Sequence, residues 1–436
     1  MDAALVAGIV LVVGIAVLLL ARVPIAVAVG FSAFVAVAAV IGMEKASFVA
    51  AQRMFTGVNS FALLAIPFFI LAGVLMNNGG IAGRLIDAAK VLVGRMPGSL
   101  AQTNVVANAL FGSVSGAAVA SAAAVGGVIG PRQAKEGYDR NFSAAVNVAS
   151  APSGMLIPPS NTLIVYSLVS STSIATLFVA GYIPGILWAV ACMFIVWLYV
   201  RRHPGVGVTE RVPLKLALLT LWRAVPSILM IVVVIGGILA GIFTPTESAA
   251  IAVVYCLVLG FAYRAVKVKD LPAIVLDATR TTSIVMLLVG VSTIMAWVMA
   301  FSGIPAAISS ALLGLTSNPS IILVLIMIIL LIVGTFMDPT PAILIFVPIF
   351  LPIVTEFGVD PIHFGIMVTF NLCLGTITPP VGNVLFVGAK IAKLRVEPVI
   401  KSLVPFFVAL IVMLFIVAFI PQLSMWLPSV LGLSGP

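Results

Sequence analysis

A chain of 436 residues that is 62% apolar and 8% charged, with a mean hydropathy of +1.30, lacks the polar surface a water-soluble globule needs. It reads as an all-α integral membrane protein, since apolar runs of about 18 residues or more recur and each can cross roughly 30 Å of hydrocarbon as a helix. The net charge of +9 does not point to nucleic acid, because the cations sit in loops beside apolar runs, where they report orientation.

Residues 1–20 lack the basic start of a signal peptide and run on through Arg22 into more apolar sequence, so 4–21 and 24–41 are the first two expected spans. A polar connection carrying Glu44, Lys45 and Arg53 leads to a third span over 61–77. Residues 81–94 repeat apolar side chains at helical spacing against Arg84, Asp87 and Lys90, the pattern of an interfacial amphipathic helix. The run over 100–130 is interrupted by Gly112-Ser-Val-Ser-Gly116, leaving halves too short to span alone, which predicts a re-entrant hairpin with a polar tip.

Residues 138–172 hold the least helix-like passage of the chain, Ser153-Gly-Met-Leu-Ile-Pro-Pro-Ser-Asn-Thr162. Adjacent prolines remove two backbone donors and strand carbonyls at membrane depth, tolerated only where the break lines a polar cavity or is buried in protein. An ordinary span over 177–200 follows, then a basic segment from Arg201 to Arg223 joining two halves, 1–210 and 211–436. The second half offers spans at 224–242, 247–263 and 283–301, an uncharged interfacial segment over 304–315, and a second hairpin over 320–355 broken at Gly334-Thr-Phe-Met-Asp-Pro-Thr-Pro341. A second broken helix over 362–391 contains Leu374-Gly-Thr-Ile-Thr-Pro-Pro-Val-Gly-Asn383, and 403–420 is the last span.

The halves correspond at an offset of about 221 residues: Pro24 with Pro245, Gly80 with Gly303, Gly112-Ser113 with Gly334-Thr335, Pro158-Pro159 with Pro379-Pro380. If both hairpins return to the side they enter from, every basic residue except Lys45 and Arg53 falls on one side. Taking that side as cytoplasmic places both termini outside and opens the hairpins from opposite faces, so the repeats are expected to be inverted. Two full spans in place of either hairpin would give the same parity, so re-entrance rests on the polar tips and short halves.

Four polar breaks near one midplane region make an alternating-access design. Helix ends offer carbonyls to a cation and amide donors to an anion, and side-chain oxygens complete the environment sodium needs. Repeat symmetry pairs Gly112, Ser113 and Ser115 with Asn161 in one expected sodium site, and Gly334, Thr335 and Asp338 with Asn383 in another. Ser153, Ser160, Thr162 and Thr378 are the candidate substrate-binding hydroxyls. With no Arg or Lys in the membrane core, an anionic substrate must be held by helix N-termini, hydroxyls and bound cations, and the modest affinity this implies favours delivery by a partner. Asp338 is the one carboxylate inside a membrane segment away from an end, a functional position by default, against the bland role of capping the helix after Pro339. Thr244-Pro-Thr-Glu247 reads as a capping box. Gly116, Ser121, Gly126 and Gly127 read as packing residues. Cys192, Cys256 and Cys373 read as small hydrophobes in a core, and His203 and His363 lie too far apart to mark a site.

Gly112-Ser-Val-Ser-Gly-Ala-Ala118, Pro158-Pro-Ser-Asn-Thr162, Thr244-Pro-Thr-Glu-Ser248, Gly334-Thr-Phe-Met-Asp-Pro339 and Thr378-Pro-Pro-Val-Gly-Asn383 together resemble the large membrane subunit of tripartite ATP-independent periplasmic (TRAP) transporters, over nearly the whole chain. The resemblance implies a bacterial inner-membrane secondary transporter, an elevator mechanism and sodium coupling. It also implies a periplasmic substrate-binding protein and a small membrane subunit of about four helices, here expected as a separate chain. Its implied substrates are C4-dicarboxylates, sialic acid and other organic acids. Where the first repeat has Ser160-Asn-Thr162 the second has Gly382-Asn-Val384, so the second ion site is expected to lean on backbone or on Thr376 and Thr378. A self-sufficient sodium/dicarboxylate carrier of related architecture is the alternative. An intramembrane enzyme fares worse, since Asp338 has no second acid at membrane depth and no metal-ligand cluster exists, and a passive channel needs no hairpin repeats.

Overall fold

Hydrocarbon offers a peptide group no water, so a chain this apolar must close its hydrogen bonds within each segment, and helices do so. The computed structural model describes residues 3–203, 213–315 and 318–433, in which every regular element is a helix. Arg211 and the expected boundary between the halves, at 210/211, lie outside the described residues.

The first half runs α1 (Ala3–Leu20), α2 (Ile25–Ile41), α3 (Met43–Val58), a 3₁₀ turn (Phe61–Leu64), α4 (Ala65–Asn78) and α5 (Ile81–Val93). The hairpin arms α6 (Ser99–Ser115) and α7 (Ala118–Lys135) come next, then α8 (Arg140–Ser150), a 3₁₀ turn (Ala151–Met155), α9 (Asn161–Ser170) and α10 (Ile174–Arg202). The second half runs α11 (Leu214–Leu239), α12 (Pro245–Ala262), α13 (Leu271–Ser302), α14 (Ile304–Leu315), the arms α15 (Pro319–Phe336) and α16 (Pro339–Glu356), then α17 (Pro361–Gly375), α18 (Asn383–Ala392), α19 (Val396–Phe419) and α20 (Gln422–Val430). Among the described residues nine helices are long and apolar enough to cross a membrane.

Element types recur in order between the halves: α5 and α14 each precede a hairpin, and a broken helix follows each hairpin. The left-handed residues recur as well: Gly80 (φ 70°) with Gly303 (φ 72°), Gly137 (82°) with Gly358 (77°), Ser171 (55°) with Lys393 (55°). Both Pro158-Pro159 and Pro379-Pro380 bonds are cis.

Three expectations are corrected. The polar connection after α2 is the helix α3, which buries only Ala46 and Ala50 at i, i+4 spacing, a seam too thin to stand out among Glu44, Lys45 and Arg53. The first hairpin is interrupted only at the end of the stretch Gly112–Gly116: the helix continues through Ser115 and turns at Gly116, in the left-handed region at φ 63°, because serines at 113 and 115 are no obstacle to a helix. Its arms are therefore 17 and 18 residues long, about 26 Å each, and length alone does not make them too short to span. The chain also adds α20 beyond the last expected span.

Each hairpin packs on its own broken helix and on the other half's: α6 lies against the 3₁₀ turn after α8 and α7 against α18, while α15 lies against α17 and α16 against α9. The broken helices interlock directly. Tyr166 of α9 is fully buried, donates its hydroxyl to the Pro361 carbonyl, and fits because residue 365 is glycine: a Cβ there would lie 2.4 Å from the Tyr166 ring. Around this unit α4 packs on α12, α2 on α1, and α13 on both α2 and α3.

Candidate functional site

Each hairpin is seated on its broken helix by a pair of glycines. A Cβ on Gly154 would lie 2.2 Å from both Gly112 Cα and its carbonyl carbon; a Cβ on Gly375 would lie 2.5 Å from the same atoms of Gly334. Backbone against backbone leaves no room for a Cβ on Gly154 or Gly375 and little for one on Gly112 or Gly334, which sets how closely each tip seats.

At the first tip, Gly116 meets Asn161, the first residue of α9: a Cβ on Gly116 would be 2.7 Å from Asn161 Nδ2 and 3.4 Å from its backbone nitrogen. Gly116 is thus a tip residue at the site as well as a packing residue. At the second tip the join is made by hydrogen bonds. Asn383, the first residue of α18, donates its Nδ2–H to Asp338 Oδ1 at 2.8 Å. The Gly382 N–H donates to the Thr335 carbonyl at 3.0 Å and the Val384 N–H to the Thr376 carbonyl at 3.1 Å. Asp338 occupies the cap position of α16 but makes no capping bond with its side chain, so its carboxylate serves the neighbouring break and not its own helix.

The hydroxyls sort by where their protons go. Ser113 donates to the Leu110 carbonyl (2.9 Å), Thr335 to Ile332 (2.7 Å), Thr376 to Cys373 (2.7 Å), Thr378 to Leu374 (2.7 Å) and Ser153 to Ser150 (2.6 Å). A hydroxyl whose proton is spent on a carbonyl presents only lone pairs, which suits a cation better than a carboxylate. Ser115 makes only a long contact to the Ala117 carbonyl at 3.5 Å. Ser160 is fully buried, caps α9 by accepting from the Leu163 N–H at 3.4 Å, and gives its proton to the Met155 carbonyl. Thr162 Oγ1 has no partner and is the candidate hydroxyl still free to donate. Neutral oxygens at the first tip, with a carboxylate added at the second, form the donor set a hard monovalent cation accepts.

Sequence reasoning missed a buried polar cluster behind the first hairpin. Asn108 Nδ2 reaches Asn104 Oδ1 (2.8 Å), Ser150 Oγ (2.8 Å) and Asn147 Oδ1 (3.1 Å), while Ser121 Oγ donates to Asn108 Oδ1 (2.7 Å). Asn147 Nδ2 donates across to the Ala122 carbonyl at 2.9 Å, and Gly126 makes room for it, since a Cβ there would meet Asn147 Nδ2 at 2.3 Å. Ser121 is therefore a member of a hydrogen-bonded cluster and not a bare packing residue, whereas Gly127 has open space around it. The i, i+4 pair Asn104 and Asn108 inside an apolar run was the available signal. The three cysteines are buried as expected.

The description "Tripartite ATP-independent periplasmic transporter, DctM component" matches residues 12–423 of the chain. The chain belongs to this family. The C4-dicarboxylate TRAP transporter large permease protein DctM of Pseudomonas aeruginosa is 38% identical over 88% of this chain and 90% of its own length. An uncharacterized protein of Salmonella typhimurium, YgiK, is 52% identical over 95% of each chain. The crystal structure of the YdaH transporter from Alcanivorax borkumensis superposes with a TM-score of 0.61 over 90% of each chain at 12% identity, a likeness of fold alone. As a DctM-family member the chain is a membrane transporter component and not an enzyme, and both hairpin tips described above fall inside the matched region.

Proposed function

We propose that this chain is the transport subunit of a sodium-coupled importer of a small organic acid, working in the bacterial inner membrane with a separate small membrane subunit and a periplasmic substrate-binding protein. The observation that carries the reading is the doubled junction: Gly116 against Asn161 and Asp338 against Asn383, two hairpin tips each closed on the asparagine that starts a helix after a proline pair. In this reading each junction is a sodium site. Residues 112–116 and 161 supply neutral oxygens at the first; at the second, Thr335, Thr376 and Asn383 supply neutral oxygens and Asp338 a carboxylate.

The organic anion sits between the two, drawn by the bound cations, the N-terminus of α9 and the free hydroxyl of Thr162. Because the glycine contacts and the interlock of α9 with α17 tie both hairpins to both broken helices, these elements move as one body against the surrounding helices. That is an elevator. Inverted orientation of the two halves, with both termini periplasmic, follows from placing the basic loops in the cytoplasm.

The test is uptake into proteoliposomes holding this chain and its small subunit, with and without the binding protein, under an imposed inward sodium gradient. Uptake requiring both the gradient and the binding protein is expected. Uptake requiring neither overturns the tripartite, sodium-coupled reading, and uptake requiring only the gradient identifies a self-sufficient carrier.

A further inference from the structure

A cavity of about 450 Å³ opens between α7, α8 and α18, away from both hairpin tips. Its wall carries Arg140 at the first turn of α8 and Lys393 at the end of α18, with Asn104 and Ser143 among its lining side chains. Among the described residues neither cation has a carboxylate partner at short range: Arg140 Nη2 donates to the Ala392 carbonyl at 3.0 Å, and the adjacent Asp139 is committed to capping α8 through the Phe142 N–H at 2.8 Å. The neutral groups are poised in an unusual way. Asn104 is fully buried and its Oδ1 accepts from Asn108, which leaves the amide hydrogens of Nδ2 without a partner. Ser143 is 6% exposed and its hydroxyl has no partner either.

A buried donor left unpaired costs about 1–3 kcal/mol, and two of them lining one cavity under two cations call for an acceptor of negative charge. We propose that this cavity is a second anion site, a carboxylate-binding vestibule on the basic side of the chain. Arg140 and Lys393 attract the anion at the mouth, and Asn104 Nδ2 and Ser143 Oγ donate to it at the floor. The size suits a small organic acid. The vestibule goes beyond the transport reading above and draws on it only for the choice of probe.

Gly130 lines the same cavity and has open space where a Cβ would stand, so Gly130→Cys places a thiol there without displacing anything. The native thiols are buried, which keeps the background low. In nanodiscs, where sidedness and transport play no part, the full chain carrying Gly130→Cys is treated with an anionic and a cationic methanethiosulfonate, each rate normalised to that of free cysteine. The anionic reagent is expected to be favoured about tenfold. Arg140→Gln with Lys393→Gln should bring the ratio close to one, and succinate should protect the thiol better than the same concentration of inorganic phosphate. Ser143→Cys provides a second reporter, and size-exclusion profiles confirm that each variant is folded. A ratio near one in the parent, a preference that survives loss of both cations, phosphate protecting as well as succinate, or no reaction at either reporter overturns the assignment. None of these outcomes bears on sodium-coupled uptake, so the two readings fail separately.

Discussion

Asn383 and Asp338 are joined by a 2.8 Å hydrogen bond from amide Nδ2 to carboxylate Oδ1, linking the start of α18 to the tip between α15 and α16. The carboxylate thereby holds the asparagine so that its Oδ1 faces elsewhere, and an amide oxygen aimed by a fixed partner is a better cation ligand than a free one. Asp338→Asn keeps the shape and removes the charge. The junction is open to solvent, so the low end of the range for a charged hydrogen bond applies, and sodium-dependent uptake should fall about tenfold, chiefly as a rise in the sodium concentration for half-maximal rate. An unchanged sodium dependence in Asp338→Asn and Asn383→Ala alike would remove this junction from the ion sites.

The paired glycines make a sharper structural prediction. Gly154→Ala and Gly375→Ala each place a methyl within 2.5 Å of another segment's backbone, which cannot move as a side-chain tip can. Each should lower stability by about 1–3 kcal/mol, read as a clear drop in apparent Tm by size-exclusion thermostability. Gly127→Ala, in open space on arm α7 of the first hairpin, should be neutral or slightly stabilising through helix propensity. If all three behave alike, close approach is not what the first two glycines provide.

Much of this arrangement was legible in the sequence because the relevant signals are local. The proline pairs mark their breaks regardless of what packs there, the recurring offset ties the two halves together, and Asp338 stood out as a lone acid in an apolar run. The pairing of Asp338 with Asn383 also followed from repeat symmetry. What escaped was whatever depended on a second segment. The role of Gly154 and Gly375 exists only in the presence of Gly112 and Gly334, and the cluster around Asn108 draws on three helices. The tip of the first hairpin was located to the stretch but not to the residue, because serine neither breaks nor favours a helix strongly, so Gly112-Ser-Val-Ser-Gly116 does not say which of its glycines turns the chain. Helix α3 was missed for a related reason, since a helix that buries only two alanines among charged residues offers little apolar signal to read.

Glu247 illustrates a residue whose role was readable and is structural. Its Oε2 accepts from both the backbone N–H and the hydroxyl of Thr244 at 2.8 Å, and the Thr244 hydroxyl accepts from the Glu247 N–H at 3.3 Å, a complete capping box at the start of α12. Glu247→Ala should lower the apparent Tm slightly while leaving the KM for uptake unchanged, and Glu247→Gln, which retains the acceptor, should recover most of the loss. A KM shift in Glu247→Ala at constant expression would show that this acid has a further duty.

Ser160 and Thr162 stand two residues apart in the same break, yet their hydroxyls are in opposite situations, which allows a structural role to be separated from a binding one. Ser160 Oγ is engaged twice, by the Leu163 N–H and toward the Met155 carbonyl, so Ser160→Ala removes a cap and strands a carbonyl in a fully buried place. Stability should fall by about 1–2 kcal/mol, with loss of folded protein accounting for most of any lost uptake. Thr162 Oγ1 is buried without a partner, so Thr162→Val removes an unpaired polar group at nearly constant volume and should leave Tm unchanged or raise it. If that hydroxyl donates to the substrate carboxylate, Thr162→Val should raise the KM for the organic acid about five- to tenfold with sodium dependence intact, while Thr162→Ser stays near the parent. Equal KM values in Thr162→Val and the parent would exclude the hydroxyl as a substrate ligand and leave α9 contributing only its helix N-terminus.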